Sequence, residues 1–590
     1  MTAVAVETAP PERPAARRTL RLHWEAALVV VGAVALACWT NRSAIEGLTT
    51  TVAGDLGDPL YFAWQLAWVR HALGTDPGSL LWTTPAFQGA RDNLAFTDTV
   101  LGYTPLGLFV GDGQAGALAL LNLAWLASCS FAIMGGYVLA RAMRVGRFAA
   151  LVSAAGFGFA PWRIQQIIHI NVVSVGVIAL ALGLLARGNG WSLRDGWQPE
   201  RMSWRWIAAG WAAACYQLTF GWAVGIWFVY SVGIPMLLWT AGWLLLGRRR
   251  ARLTRPVLLA HGLGGLAFAV TGWLLLRPYL RVIAAHPEAK RGENWLPLFS
   301  PPWRGLLTAP PNDWFWADRQ VDWRTTLTWP PEMILSPGIV LVVLALTGVG
   351  FSVYPWRRRL LLALATAVLV VLAMGTAFPL GHGEWTYLPL FRHAPGWSAL
   401  RTTGRLIIFV TLGLCLLAAG AVSRFYREVR PARPLRGRVR TGGAVVAALL
   451  AVVPAGAVVV EGLNVVPHWT VPTSPVRLAS FPQPVLLLPS DIVGDYHMML
   501  WGTEGWPLLA NGSSGFDPPN QTQLRSEAAS FPDSGSVEAL RRRGIRTVVI
   551  IRSRAVGSMW ATAPDRPIDG LDLTRADFGD AVVYTLRPPT

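Results

Sequence analysis

A carboxylate at the head of a helix is the first feature of this chain that suggests chemistry, because such a group takes a proton from a reacting hydroxyl. Residues 54–59 read Gly-Asp-Leu-Gly-Asp-Pro and run into LYFAWQLAWVRHAL. The apolar and aromatic residues of that run suit an amphipathic helix lying in a membrane interface. Asp58 falls at its N-cap with Pro59 at N1, and Asp55 stands in the turn before it. Either these carboxylates only cap the helix and face water, or they carry chemistry. Asp98, in AFTDTVLG, has the same two readings, its cap belonging to the helix that follows.

Polar groups recur near these acids. The stretch PWRIQQIIHIN, residues 161–171, pairs Gln165 with His169 at i,i+4 and Arg163 with Gln166 at i,i+3 if it is helical. A polar group at membrane depth lines a cavity or finds a partner. Arg277, Tyr279 and Arg281 open a second long loop, and Arg401 and Arg405 precede a late apolar run. Guanidinium groups suit phosphate oxygens; the alternative is contact with ordinary lipid or snorkelling. The loop 277–334 adds Trp295, Trp303, Trp314, Trp316, Trp323 and Trp329, then Glu332, a further carboxylate. Those tryptophans form an interfacial belt, or a few stack on sugar rings.

What must position these residues is a membrane bundle. The 590-residue chain is 53% hydrophobic and 14% charged, against about 25% charged in soluble domains, which excludes a water-soluble enzyme. Eleven apolar runs lie between residues 24 and 461, each near the ~20 residues a spanning helix needs, although 148–160, 172–187 and 206–220 are short. The formal charge of +18 includes a single lysine, Lys290, among 51 basic residues, a bias of GC-rich bacterial codon usage. Nucleic acid is excluded as a partner, because the arginines cluster on alternate connections between runs. The clusters are Arg13–Arg21, Arg141–Arg147, Arg187–Arg205, Arg248–Arg255, Arg357–Arg359 and Arg424–Arg440. The positive-inside rule then places the N-terminus in the cytoplasm and the C-terminus outside, and the chain in a bacterial plasma membrane. The four cysteines lie in or beside apolar runs without metal spacing.

The expected architecture is mainly α: a tail over 1–20, a polytopic bundle over 21–461 with long outer loops 41–113, 277–334 and 376–405, and a small extracytoplasmic α/β domain over 462–590. Strands are expected at 484–489, 546–552 and 581–587, and a short helix at 536–543. Asn511-Gly-Ser and Asn520-Gln-Thr match the glycosylation acceptor pattern, a coincidence in a bacterial chain.

The motifs GDLGDPLYFAWQLAW, RIQQIIHIN, PGWSALRTTGR and LLANGSSGFDP resemble a set found in bacterial members of the GT-C superfamily of membrane glycosyltransferases, over nearly the whole chain. The first loop lacks the adjacent Asp-Glu pair of the better-studied families. The resemblance implies inverting transfer of a sugar from a polyprenyl-phosphate donor to an extracytoplasmic envelope acceptor. It implies Asp58, or else Asp55, as the base, with Asp98, Arg163, His169, Arg277, Tyr279, Glu332, Arg401 and Arg405 binding substrate. The scattered acids show no ligand spacing, so no tightly bound metal is expected, a divalent ion being left open. A transporter or flippase of lipid-linked glycan, or a non-catalytic scaffold, is the alternative. A transporter places ionisable residues at mid-span between inverted repeats, and neither pattern is evident.

Overall fold

The computed structural model describes residues 15–78, 80–247, 253–429 and 438–588. Residues 1–14 of the expected tail, and the arginines at 248–252 and 430–436, lie outside them. Residues 15–20 belong to the first helix, where the reading placed them in the tail.

Every apolar run forms a helix: α1 (Ala15–Thr40), then after strand β1 (Thr51–Ala53) and helix α2 (Asp58–Thr75), α3 (Gly113–Ala142), α4 (Arg147–Gly158), α5 (Gly176–Gly188), α6 (Trp204–Leu218), α7 (Trp222–Gly242), α8 (Arg255–Ala285), α9 (Ile339–Gly350), α10 (Trp356–Met374), α11 (Ile407–Val429) and α12 (Arg438–Glu461). Six helical segments among the described residues are long and apolar enough to cross a membrane, so the chain is a multi-pass membrane protein. Residues 339–350 form a shorter apolar helix, and α4 and α6 are shorter still than a bilayer requires.

The bundle has an inside and an outside. The apolar window of 403–429 is 89% buried, whereas that of Arg255–Ala285 is 6% buried; α11 is therefore a central post and α8 faces lipid. Small residues let the central helices touch. A Cβ on Gly135 of α3 would lie 2.1 Å from the Gly176 carbonyl oxygen of α5, and one on Gly136 would lie 2.5 Å from the Ser153 oxygen of α4. In an apolar solvent such close backbone approach replaces the hydrophobic effect as the source of helix association.

Three local expectations are corrected. Residues 161–171 are not one helix: Trp162–Gln165 and Ile170–Val173 are separate single turns, so His169 sits in a break between them and its side chain is free to turn inward. Arg277, Tyr279 and Arg281 do not open a loop, because α8 continues to Ala285. Helix α2 is not amphipathic. From Pro59 to Val69 every side chain except Gln65 is apolar and nearly all are buried, as expected of a helix with no polar face.

Beyond α12, β2 (His468–Thr470) pairs antiparallel with β1, tying the first long loop to the start of the C-terminal segment. That segment builds a four-stranded sheet from β3 (Val485–Leu488), β4 (Thr547–Ile551), β5 (Leu573–Phe578) and β6 (Ala581–Leu586), in the order β3-β4-β6-β5. Only the β3–β4 pair is parallel. The helices are α13 (Ile492–Trp501), α14 (Pro519–Glu527) and α15 (Ser534–Arg542). Strand β5 was not expected, since its outward residues are charged and polar and only Leu573 is buried. Tyr496 of α13 packs on Tyr61 of α2, ring centroids 5.4 Å apart, so α2 is roofed by this segment.

Candidate functional site

The break at 166–169 and the head of α2 meet. Asp55 is exposed and accepts a bond from the Gly57 amide at 2.9 Å, a turn within its own loop. Gly57, not Asp58, takes the N-cap position of α2, and no side chain caps this end. Asp58 therefore does not do what its sequence position suggested: its Oδ2 pairs with His169 Nε2 at 2.9 Å. The other ring nitrogen, Nδ1, meets Gln166 Oε1 at 2.9 Å. Gln166 donates its Nε2 to Glu332 Oε2 at 3.2 Å, which leaves its oxygen to accept from His169 Nδ1–H. Glu332, almost fully buried, accepts from Arg405 Nη2 at 2.5 Å. Burial alone would raise its pKa, but Arg405 and then His169 hold the carboxyl below its ordinary range.

Asp98 is fixed differently. Its oxygens accept from the backbone amides of Trp222 (2.5 Å) and Ala223 (2.8 Å) and from Asn171 Nδ2 (3.0 Å). It caps α7, which begins 124 residues later, rather than the helix that follows it. Gly221 makes room: at φ +112° it occupies a backbone region favouring glycine, and a Cβ there would lie 2.4 Å from Asp98 Oδ2. Burial raises the Asp98 carboxyl, with these three donors pulling it back only in part. Gln65 of α2 braces the same turn, donating to the Asp98 carbonyl and accepting from the Val100 amide, each at 3.0 Å.

Asp58, Asp98, His169 and Glu332 line a cavity of about 640 Å³ together with four cations: Lys290, Arg291, Arg401 and Arg405. Arg405 is satisfied by Glu332. Among the described residues, Lys290, Arg291 and Arg401 have no carboxylate partner. Arg401 lies over the Phe299 ring at 4.6 Å, and burial, then Arg401 and Arg405, drive the Arg291 guanidinium down to about 10. Cations crowded in a partly buried cavity, three of them without a salt-bridge partner, form a receptor for an anion. Tyr279 lines the same space, its hydroxyl 2.7 Å from Thr99 Oγ1.

The roof comes from the C-terminal segment. Tyr496, Ser514, Gly515 and Phe516 reach the cavity on a loop held by Arg525, which bonds Asp495 (2.8 Å), Asp517 (3.0 Å) and the Gly512 carbonyl (3.0 Å). Asn511 is fully buried in this network, donating to Asp495 at 2.9 Å, so it is not placed as a glycan acceptor.

Several expected site residues lie elsewhere. Arg163 is buried within the bundle, bonded to the Val173 carbonyl at 3.0 Å and set against Trp125 and Trp162; it does not line the cavity. Arg277 is exposed on α8 and Asp55 faces outward, both off the cavity wall. None of the six loop tryptophans lines it, and Trp295 lies under Arg401 instead. Lys290, Arg291, Tyr496 and Ser514 were missed. The first two were within reach of the rule that singled out Arg401, being basic residues on a connection where the positive-inside rule disfavours them. Among the described residues no three His, Cys, Asp or Glu side chains are grouped to hold a metal ion.

No protein-family model matches the sequence, and no curated protein matches it. Solved structures do. The chain is similar to ArnT from Cupriavidus metallidurans bound to undecaprenyl phosphate, at 14% identity and a TM-score of 0.44, over 97% of this chain and 98% of that one. It is similar to the oligosaccharyltransferase of Archaeoglobus fulgidus in the apo form, at 14% identity and a TM-score of 0.39, over 90% of this chain and 70% of that one. The complex of that enzyme with zinc and sulfate gives 13% identity and a TM-score of 0.42, over 89% and 68%.

Proposed function

We propose that this protein is an inverting membrane glycosyltransferase that moves a sugar from a polyprenyl-phosphate carrier to an envelope acceptor: a glycan, a lipid or a protein. The observation that carries the reading is one cavity lined both by an acid–histidine pair and by three cations that form no salt bridge among the described residues. Asp58 takes the acceptor proton as the new glycosidic bond forms, with His169 holding the carboxylate toward the cavity. Arg401, Arg291 and Lys290 receive the phosphate as its bond to the anomeric carbon breaks, compensating charge that grows in the transition state. A base and a phosphate site within one cavity suit a single displacement, hence inversion. Deletion of the gene tests this: mass spectrometry should show a carrier-linked sugar accumulating and one envelope substitution missing. An unchanged set of envelope glycans and lipids would refute it.

The reading needs no resident metal, because the cavity acids are already engaged: Asp58 by His169, Asp98 by backbone amides and Glu332 by Arg405. Transfer by the purified protein should therefore continue in EDTA at its full rate. Loss of activity with EDTA and recovery with Mg²⁺ or Mn²⁺ would contradict this.

We further place the cavity on the outer face of a bacterial plasma membrane, with the C-terminal domain over 462–590 outside and eleven spans below it. Ser480 and Glu200 are exposed residues on the two sides of that scheme. With the four native cysteines replaced by alanine, Ser480→Cys should react with an impermeant maleimide in intact cells, and Glu200→Cys only after permeabilisation. The opposite pattern would invert the topology.

A further inference from the structure

The end of the bundle away from the carboxylate cavity holds a second, unassigned site. Arg405 stands at the start of the α11 segment and Arg427 near its end, 22 positions on, about 33 Å at helical rise. Around Arg427, a cavity of about 820 Å³ is lined by Arg141, Arg144, Arg194, Arg201 and a single acid, Asp195. Asp195 is engaged by Arg201 at 2.9 Å and Arg194 at 3.7 Å, and Arg141 by Glu25 at 2.8 Å. Among the described residues, neither Arg144 nor Arg427 pairs with a carboxylate. Arg144 is also held at φ +70°, a backbone region that a non-glycine residue enters only at a cost.

A groove adjoins this cavity. It runs between α1, α4 and α12, with a volume of about 1080 Å³, and it is apolar except at one end, where Glu25 and Arg147 lie. The two adjoin: Phe148 of the groove packs on Tyr426 of the arginine cavity, ring centroids 5.5 Å apart, and Glu25 of the groove pairs with Arg141 of the cavity. Gly32 and Gly456 line the groove with open space where a Cβ would stand.

From this juxtaposition we infer that the two cavities form one binding site for an anionic phospholipid of the leaflet at that end, its phosphate among Arg144, Arg427 and their neighbours and an acyl chain along α1, α4 and α12. A soluble anion explains the arginines and leaves the groove unexplained; a zwitterionic lipid explains the groove and leaves the surplus positive charge unexplained. The inference is independent of the reaction at the carboxylate cavity.

Native mass spectrometry of the full-length protein in detergent tests it, with dioleoyl phosphatidylglycerol, dioleoyl phosphatidylcholine and glycerol 3-phosphate as probes. The wild type should hold phosphatidylglycerol far more tightly than either other probe. Removing two basic contacts in Arg144→Gln/Arg427→Gln should weaken phosphatidylglycerol about 30-fold and leave phosphatidylcholine unchanged. Gly456→Trp, which fills the groove, should weaken both lipids. Arg357→Gln removes an exposed charge off the cavity wall and should change nothing. The inference fails if the double variant retains phosphatidylglycerol like the wild type, if Arg357→Gln weakens it equally, or if glycerol 3-phosphate competes at equal concentration, which would make this a soluble-anion site.

Discussion

Asp58→Asn should lower the transfer rate by about 10²–10⁴-fold, the usual cost of removing a general base, while the protein accumulates and unfolds like the wild type. The substitution keeps the size of the side chain and one oxygen facing His169 Nε2, and it removes no cap, because Asp58 makes no capping bond. Donor affinity should change little, since Arg401, Arg291 and Lys290, which receive the phosphate, are left in place. Asp55→Asn should turn over normally, its carboxylate being turned to solvent and bonded only to the Gly57 amide. Steady-state rates of the two purified variants measure this. An inactive Asp55→Asn beside an active Asp58→Asn would exchange their roles. Full activity in both would remove the first-loop acids from the chemistry and turn attention to transport.

Arg405→Leu should be the most destabilising single change at the site, by about 3–5 kcal/mol, because it leaves a buried glutamate uncompensated. Glu332 keeps only the Gln166 amide at 3.2 Å once the 2.5 Å guanidinium contact is gone. The double change Arg405→Leu/Glu332→Leu should recover much of the loss, since an apolar pair of similar volume removes the stranded charge. Thermal unfolding of the three variants in detergent measures the cycle. The sign of the pH dependence follows from Glu332, whose folded pKa lies below its ordinary 4.5. The pair's contribution is fully present above that value and is lost as pH falls through the lower folded value. Arg405→Leu should flatten this acid limb. Equal stability of wild type and Arg405→Leu would contradict the buried pair.

Much of the framework was legible because it rests on local rules. Apolar length marks helices, and every run from α1 to α12 is one. Arginine alternation marks a common end, and Arg141, Arg144, Arg194, Arg201 and Arg427, from three connections, do line one cavity. The structure also brings Asp58, Asp98, His169, Tyr279, Glu332, Arg401 and Arg405 to one wall system. What escaped the sequence depends on distant contacts. Asp98 caps a helix that begins far along the chain, a bond no local motif encodes. Ser514 and Phe516 reach the cavity only because Arg525 ties their loop to Asp495 and Asp517. Arg163 reads as a phosphate ligand by charge alone, whereas it is buried inside the bundle, bonded to the Val173 carbonyl and set against two indole rings.

The central claim is that the cavity breaks a bond between sugar and phosphate rather than passing the intact lipid through the bundle. Proteoliposomes carrying the purified protein and a radiolabelled polyprenyl-phosphate sugar, supplied with an envelope extract as acceptor, decide between the two. The account predicts that free polyprenyl phosphate appears in equal amount with labelled acceptor, and that Asp58→Asn abolishes both. Movement of the intact labelled lipid between leaflets, with no polyprenyl phosphate released and no effect of Asp58→Asn, would contradict it.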